Sequence, residues 1–256
     1  MGQIFHRNMN ARVRRGLLGA GLFLAALVAL LPALERAPWL TGLGRSPAQP
    51  VAFSHMRHVR EVGVNCQYCH GSVELSSNAG IPPTKTCVNC HAYLKSSPQL
   101  LEPVRLSWLN GTPLVWKRVY NLPGYVYFSH DIHVRKGVGC ASCHGRVDRM
   151  QRMEARSSLQ MEWCLDCHRN PAPHLRPTAE IYNMDWQGPN TAKPVWCAAN
   201  VDKNSTSPVE CLTAAPAQDG REYHEFTSQE ELGRFLFDHY RIRSAADLSS
   251  CEVCHR

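Results

Sequence analysis

Alternating apolar and polar residues of strand length are almost absent from this 256-residue sequence; the one candidate is a short hairpin near Val115 to Phe128. An architecture built on sheets is therefore not expected. The chain also lacks a nucleic-acid signal. Its formal charge is +7, but Arg7, Arg12, Arg14 and Arg15 supply four of those positives from one short stretch ahead of an apolar run. Charged residues make up only 19% of the chain and hydrophobic ones 44%, which argues against disorder. Cysteine, by contrast, is abundant. Twelve in a chain of this size are too many for an ordinary cytosolic enzyme.

Ten of the twelve fall into five copies of one pattern: Cys66-Gln-Tyr-Cys69-His70, Cys87-Val-Asn-Cys90-His91, Cys140-Ala-Ser-Cys143-His144, Cys164-Leu-Asp-Cys167-His168 and Cys251-Glu-Val-Cys254-His255. Two thiols at this spacing form thioethers to the two vinyl groups of one haem, and the adjacent histidine then lies beneath the iron as proximal ligand. Structural zinc or a redox dithiol also uses Cys-x-x-Cys, but neither needs a histidine directly after the second cysteine, and here it follows all five times. The expectation is five covalent haem c groups with their iron. Five haems would add about ten propionates, so the holoprotein would be near neutral or mildly acidic.

Gly16 to Leu34 is an uncharged apolar run that as a helix would span about 28 Å, close to bilayer thickness. A cleavable signal peptide needs an Ala-x-Ala-like site, whereas Ala33-Leu34-Glu35-Arg36-Ala37-Pro38 follows here. A retained single-span anchor over residues 16–35 is expected, with basic residues 1–15 in the cytoplasm of a bacterium by the positive-inside rule. The rest would lie on the periplasmic side of the cytoplasmic membrane, where haem is attached and disulfides persist. That compartment suits the two leftover cysteines, Cys197 and Cys211, for which a disulfide is expected, with free thiols as the alternative.

FSHMRHVREVGVNCQYCHG, starting at Phe53, returns as FSHDIHVRKGVGCASCHG, starting at Phe128. A bis-histidine haem needs a second axial imidazole from elsewhere in the chain. With His6 and the proximal residues set aside, the candidates are His55, His58, His130, His133, His174, His224 and His239. His55, His130 and His239 each precede a motif by 10 to 12 residues and are expected as distal ligands of haems one, three and five. His58 and His133 lie one helical turn further on and are expected to reach haems two and four. His174 is the main rival and His224 a weaker one. Met150, Met153, Met161 and Met184 could supply a thioether, although methionine near haem more often packs.

The His-x-x-His before Cys-x-x-Cys-His resembles the class III multihaem cytochromes of the c3 and c7 type over Phe53 to His91 and Phe128 to His168. PLVWKRVYNLPGYVYFSHDIHVRKGVGCASCHGRVDRM and MEWCLDCHRNP, with the apolar N-terminus and the late CEVCHR, resemble the membrane-anchored pentahaem cytochrome subunit of alternative complex III. The likeness is tight from Pro113 to Pro171; related pentahaem subunits of other molybdopterin-like and iron–sulfur membrane oxidoreductases share much of it. It implies an electron-transfer subunit rather than an enzyme, with no catalytic residue. Electrons would come from quinol-binding membrane subunits by way of an iron–sulfur subunit and leave to a monohaem cytochrome, a soluble haem or copper carrier, or a terminal oxidase. A stand-alone anchored quinol dehydrogenase or electron shuttle is the alternative. Pentahaem nitrite reductases fit less well, because their active haem uses lysine in place of the motif histidine.

The expected fold is mainly irregular, with short α-helices packed around haems and one N-terminal transmembrane helix. Residues 36–112 would hold haems one and two, residues 113–190 haems three and four, and residues 191–256 a loop with Cys197 and Cys211 and the haem five tail. Gln229 to Tyr240 reads as a helix with Leu232, Phe235, Leu236 and His239 on one face. Ser96 to Pro123 and Asn170 to Pro216 read as irregular.

Overall fold

The computed structural model describes residues 8–94, 98–199, 209–216 and 220–255 and divides into two compact units, residues 1–43 and 44–256. His6 and Arg7 lie outside the described residues, as do parts of the 191–220 segment. The first unit is α1 (Met9–Glu35) followed by the single turn α2 (Pro38–Thr41). From Gly16 to Leu34 every side of α1 is apolar, and none of the helix's residues is buried, with a mean hydropathy of 2.4 over its best window. A helix apolar all round needs apolar surroundings. Among the described residues it is the one helix long and apolar enough to cross a membrane.

The second unit is built from short helices on irregular chain: α3 (Cys66–Cys69), α4 (Thr84–His91), α5 (Pro98–Asn110), α6 (His130–Arg135), α7 (Cys140–His144) and α8 (Met161–Arg169). Three short strands follow, β1 (Val195–Ala198), β2 (Cys211–Leu212) and β3 (Tyr223–Phe226), then α9 (Gln229–His239), α10 (Ala245–Leu248) and α11 (Cys251–Cys254). A π-helical segment, Met56–Glu61, and 3-10 turns at Val147–Arg149, Ala172–His174 and Thr178–Glu180 complete the order.

Three expectations change here. Val115 to Phe128 forms no hairpin, because its backbone is engaged elsewhere: the Lys117 amide donates to Gln49 Oε1 and the Tyr127 amide to the Cys254 carbonyl, at 2.9 and 2.8 Å. The sheet lies instead in the segments read as irregular or left unassigned, in the antiparallel order β2-β1-β3. Cys197 and Cys211 face each other across β1 and β2 and form a disulfide. Ser96 to Pro123 also contains a regular element, since α5 opens on Pro98, the first-turn position where proline's missing N–H costs nothing.

The larger apolar core sits at the C-terminal end, where Leu232 and Leu236 of α9 pack with Leu175, Val195, Cys197, Val209 and Tyr240. Approach is close enough that a Cβ on Gly233 would fall 2.1 Å from the Ala172 carbonyl, so this helix position requires glycine. A second, small cluster joins Val73, Val134 and Ile181, with Cys140 against it. Around the cysteine motifs large residues stay exposed, among them Tyr68, Tyr93, Tyr125, Tyr127 and Phe128. Protein side chains alone do not complete a core there.

Candidate haem-binding sites

Each Cys-x-x-Cys occupies one helical turn, on α3, α4, α7, α8 and α11, here termed sites 1 to 5. Residues three apart share a helix face, so the two sulfurs of a motif point the same way. The α3 turn is held by Asn65, whose side chain accepts from the Gln67 amide at 2.8 Å. The ten motif cysteines are free of disulfides. Burial drives several thiols up, Cys140 and Cys167 to about 11 and Cys143 to about 12. Burial thus favours neutral sulfur, whereas zinc or dithiol chemistry uses thiolate. Thioether carries no charge and suits the same place. Among the described residues no group of three or more His, Cys, Asp or Glu side chains is gathered to hold a bare metal ion.

Facing histidine rings are the central feature. The rings of His58 and His91 have centres 6.0 Å apart, those of His130 and His144 6.2 Å, and those of His133 and His168 6.2 Å. A metal–imidazole bond is about 2 Å and the ring centre lies about 1 Å beyond the nitrogen, so two imidazoles on one metal have centres about 6 Å apart. The residues fit haem iron held between two histidines. Burial first, then the neighbouring His70 and His58, hold His55 down at about 4. His144 is lowered to about 4 by burial, then by His130, His70 and His55. Both are neutral at physiological pH, the form that binds iron.

Nitrogen roles follow from the acceptors. Nδ1 of His58 donates to the Ser54 carbonyl at 2.8 Å, and Nδ1 of His133 to the Ser129 carbonyl at 2.7 Å. The Nδ1 atoms of His70, His130, His168 and His255 donate to the carbonyls of Gly80, Ser77, Leu248 and Tyr125 at 2.7 to 3.1 Å. A carbonyl only accepts, so the proton of a neutral ring is on Nδ1 and the Nε2 lone pair is left for a metal. Gly80 must be glycine for its part: its φ is +80°, and a Cβ would meet Ser72 Oγ at 2.8 Å.

The Phe-Ser of the repeated phrase has a function that its sequence position did not reveal. Phe53 stands edge-on to His55 (4.9 Å, 88°) and stacks on His58 (4.3 Å, 24°). Phe128 repeats this with His130 (4.8 Å, 87°) and His133 (4.6 Å, 28°). One phenyl ring orients two imidazoles, and the following serine carbonyl fixes the second. The signal was the repetition of Phe-Ser itself.

The third Phe-x-His behaves differently. His239 ends α9 and stacks on Phe235, four residues back, while Phe237 packs against the C-terminal core. The His255 ring tilts against Tyr125. His174 is exposed on the Ala172–His174 turn, and His224 projects from β3 with its ring 6.0 Å from Phe235. Met150 and Met184 are buried and Met161 is exposed.

Residues 126–198 match the family described as cytochrome c7 and related cytochrome c. The chain is 36% identical over 102 residues to the menaquinone reductase multiheme cytochrome c subunit of Nitratidesulfovibrio vulgaris, over 40% of this chain. It spans about half of that relative's length, 48%. The fold is that of a c7-like cytochrome, irregular with short helices and one long apolar N-terminal helix. Over these parts of its length the chain is similar to multihaem c-type cytochromes.

Proposed function

We propose that the chain binds five haem c groups and serves as an electron-transfer subunit of a quinone-linked membrane oxidoreductase of the alternative complex III type. The observation that carries this reading is the set of three facing imidazole pairs at 6.0 to 6.2 Å, which fills both axial positions at sites 2, 3 and 4. Haem in such a site supplies a one-electron carrier. The ligand set is His55 with His70, His58 with His91, His130 with His144 and His133 with His168, and His255 is joined by His239, with His174 as rival. Cys66, Cys69, Cys87, Cys90, Cys140, Cys143, Cys164, Cys167, Cys251 and Cys254 form the thioethers.

α1 is a retained anchor in the cytoplasmic membrane, with the cysteine motifs on the periplasmic side. The partners are an iron–sulfur subunit, polytopic quinol-binding subunits and a periplasmic cytochrome or copper carrier. The resemblance to alternative complex III has electrons leaving quinol, while the relative's name is that of a menaquinone reductase. The same ligand set serves either direction, because the partners' potentials decide it.

The test is capture of the tagged chain from native membranes in mild detergent, with mass spectrometry of what accompanies it and a haem-to-chain ratio. A ratio of five with iron–sulfur and polytopic subunits supports the proposal. Recovery with a soluble reductase alone would replace the complex with an independent anchored shuttle.

A further inference from the structure

The contacts between sites do not follow their order in the chain. Sites 1 and 2 share the segment that carries His55 and His58, and Asn89 of site 2 donates to the Tyr68 hydroxyl of site 1 at 3.2 Å. Sites 1 and 3 meet through the small core in which Val73 and Cys140 pack with Val134. The His130 Nδ1 and Asp131 amide of the second phrase also donate to the Ser77 and Ser76 carbonyls of the loop after site 1. Sites 3 and 4 share α6, which carries His130 and His133. Site 4 reaches site 5 where His168 Nδ1 donates to the Leu248 carbonyl and α8 packs on α10.

From these contacts we propose that the five sites lie in space in the order 2, 1, 3, 4, 5, so that the two copies of the repeat meet at their first sites. This rests on reading each motif as a haem site. Exposure agrees with the order. Of the ten motif cysteines, Cys90 and Cys251 are the exposed ones, and they belong to sites 2 and 5. The histidine Nδ1 atoms sealed from solvent without a partner belong to His55 and His144, which serve sites 1 and 3. Electron partners therefore engage the chain at sites 2 and 5, while sites 1 and 3 form its insulated middle.

The test is a cryo-electron microscopy map of the holoprotein in its native complex, with each iron assigned to its motif by thioether density. The expected result is nearest-neighbour irons 2–1, 1–3, 3–4 and 4–5. A run 1–2–3–4–5, or site 5 beside site 2, would overturn the order. Fewer than five irons would end the five-haem reading, and the order among those present would still support or overturn this one.

Discussion

His58 and His133 each direct the Nδ1 proton to the carbonyl four residues back and lie flat on the phenylalanine that opens their phrase. Packing and hydrogen bond fix the ring before any metal arrives, which is the preorganisation a ligand needs. His58→Ala or His133→Ala is expected to open one axial position: the ferric spectrum should gain a high-spin signal from about a fifth of the iron, with haem content unchanged. A spectrum that stays wholly low-spin would remove that residue from the ligand set. Asp148 supports the scaffold differently. Its nearly buried carboxylate takes hydrogen bonds from Arg146 and Arg60, which hold it below the ordinary value against the opposing effect of burial. Its stabilisation is present above the unfolded value of about 3.9 and is lost as pH falls through the lower folded one. Asp148→Asn should cost about 1 kcal/mol at pH 7 and flatten the acid limb of an unfolding titration. At this scale the cysteine motifs were legible because covalent chemistry dictates their spacing. The phenylalanine stacks were not, since phenylalanine beside histidine usually means ordinary packing.

At the scale of elements, the two copies differ by one residue, and the helix absorbs it. The second copy winds as α6, which ends at Arg135, two residues before Gly137; the first, one residue longer between its second histidine and its glycine, winds as a π-helix that ends at Glu61, two residues before Gly63. Both glycines then turn the chain at nearly the same left-handed angle, φ +80° and +82°. A π turn accommodates one residue more than an α turn without moving what lies on either side. Deleting Val62, which is 72% exposed, should convert the segment to α-helix while leaving haem content and the low-spin spectrum unchanged. A change in either would mean that the extra residue positions His58. The helix read over Gln229 to Tyr240 forms as α9, because its apolar residues recur at helical spacing. The sheet escaped notice for a physical reason: its strands are four, two and four residues long, too short for alternation to rise above chance.

Over the whole molecule, side-chain packing and cysteine chemistry occupy different places. The larger core lies among β1, α9 and the chain around Leu175, while exposed aromatics surround the motif turns. Limited proteolysis of the full chain made without haem should therefore cut residues 66–94 first and spare residues 223–240; in the holoprotein both should resist. Equal cutting throughout the haem-free chain would mean that the C-terminal core does not hold by itself.

That division sets an order of manufacture. One corner is completed by protein alone, closed by the Cys197–Cys211 disulfide and the apolar face of α9, while large side chains around the motif turns stay exposed. An attachment enzyme needs both sulfurs of a motif within reach, and a fully packed apoprotein would deny them. By leaving the middle of the core for porphyrin to complete, the chain stays a substrate for its own maturation until the last haem closes it.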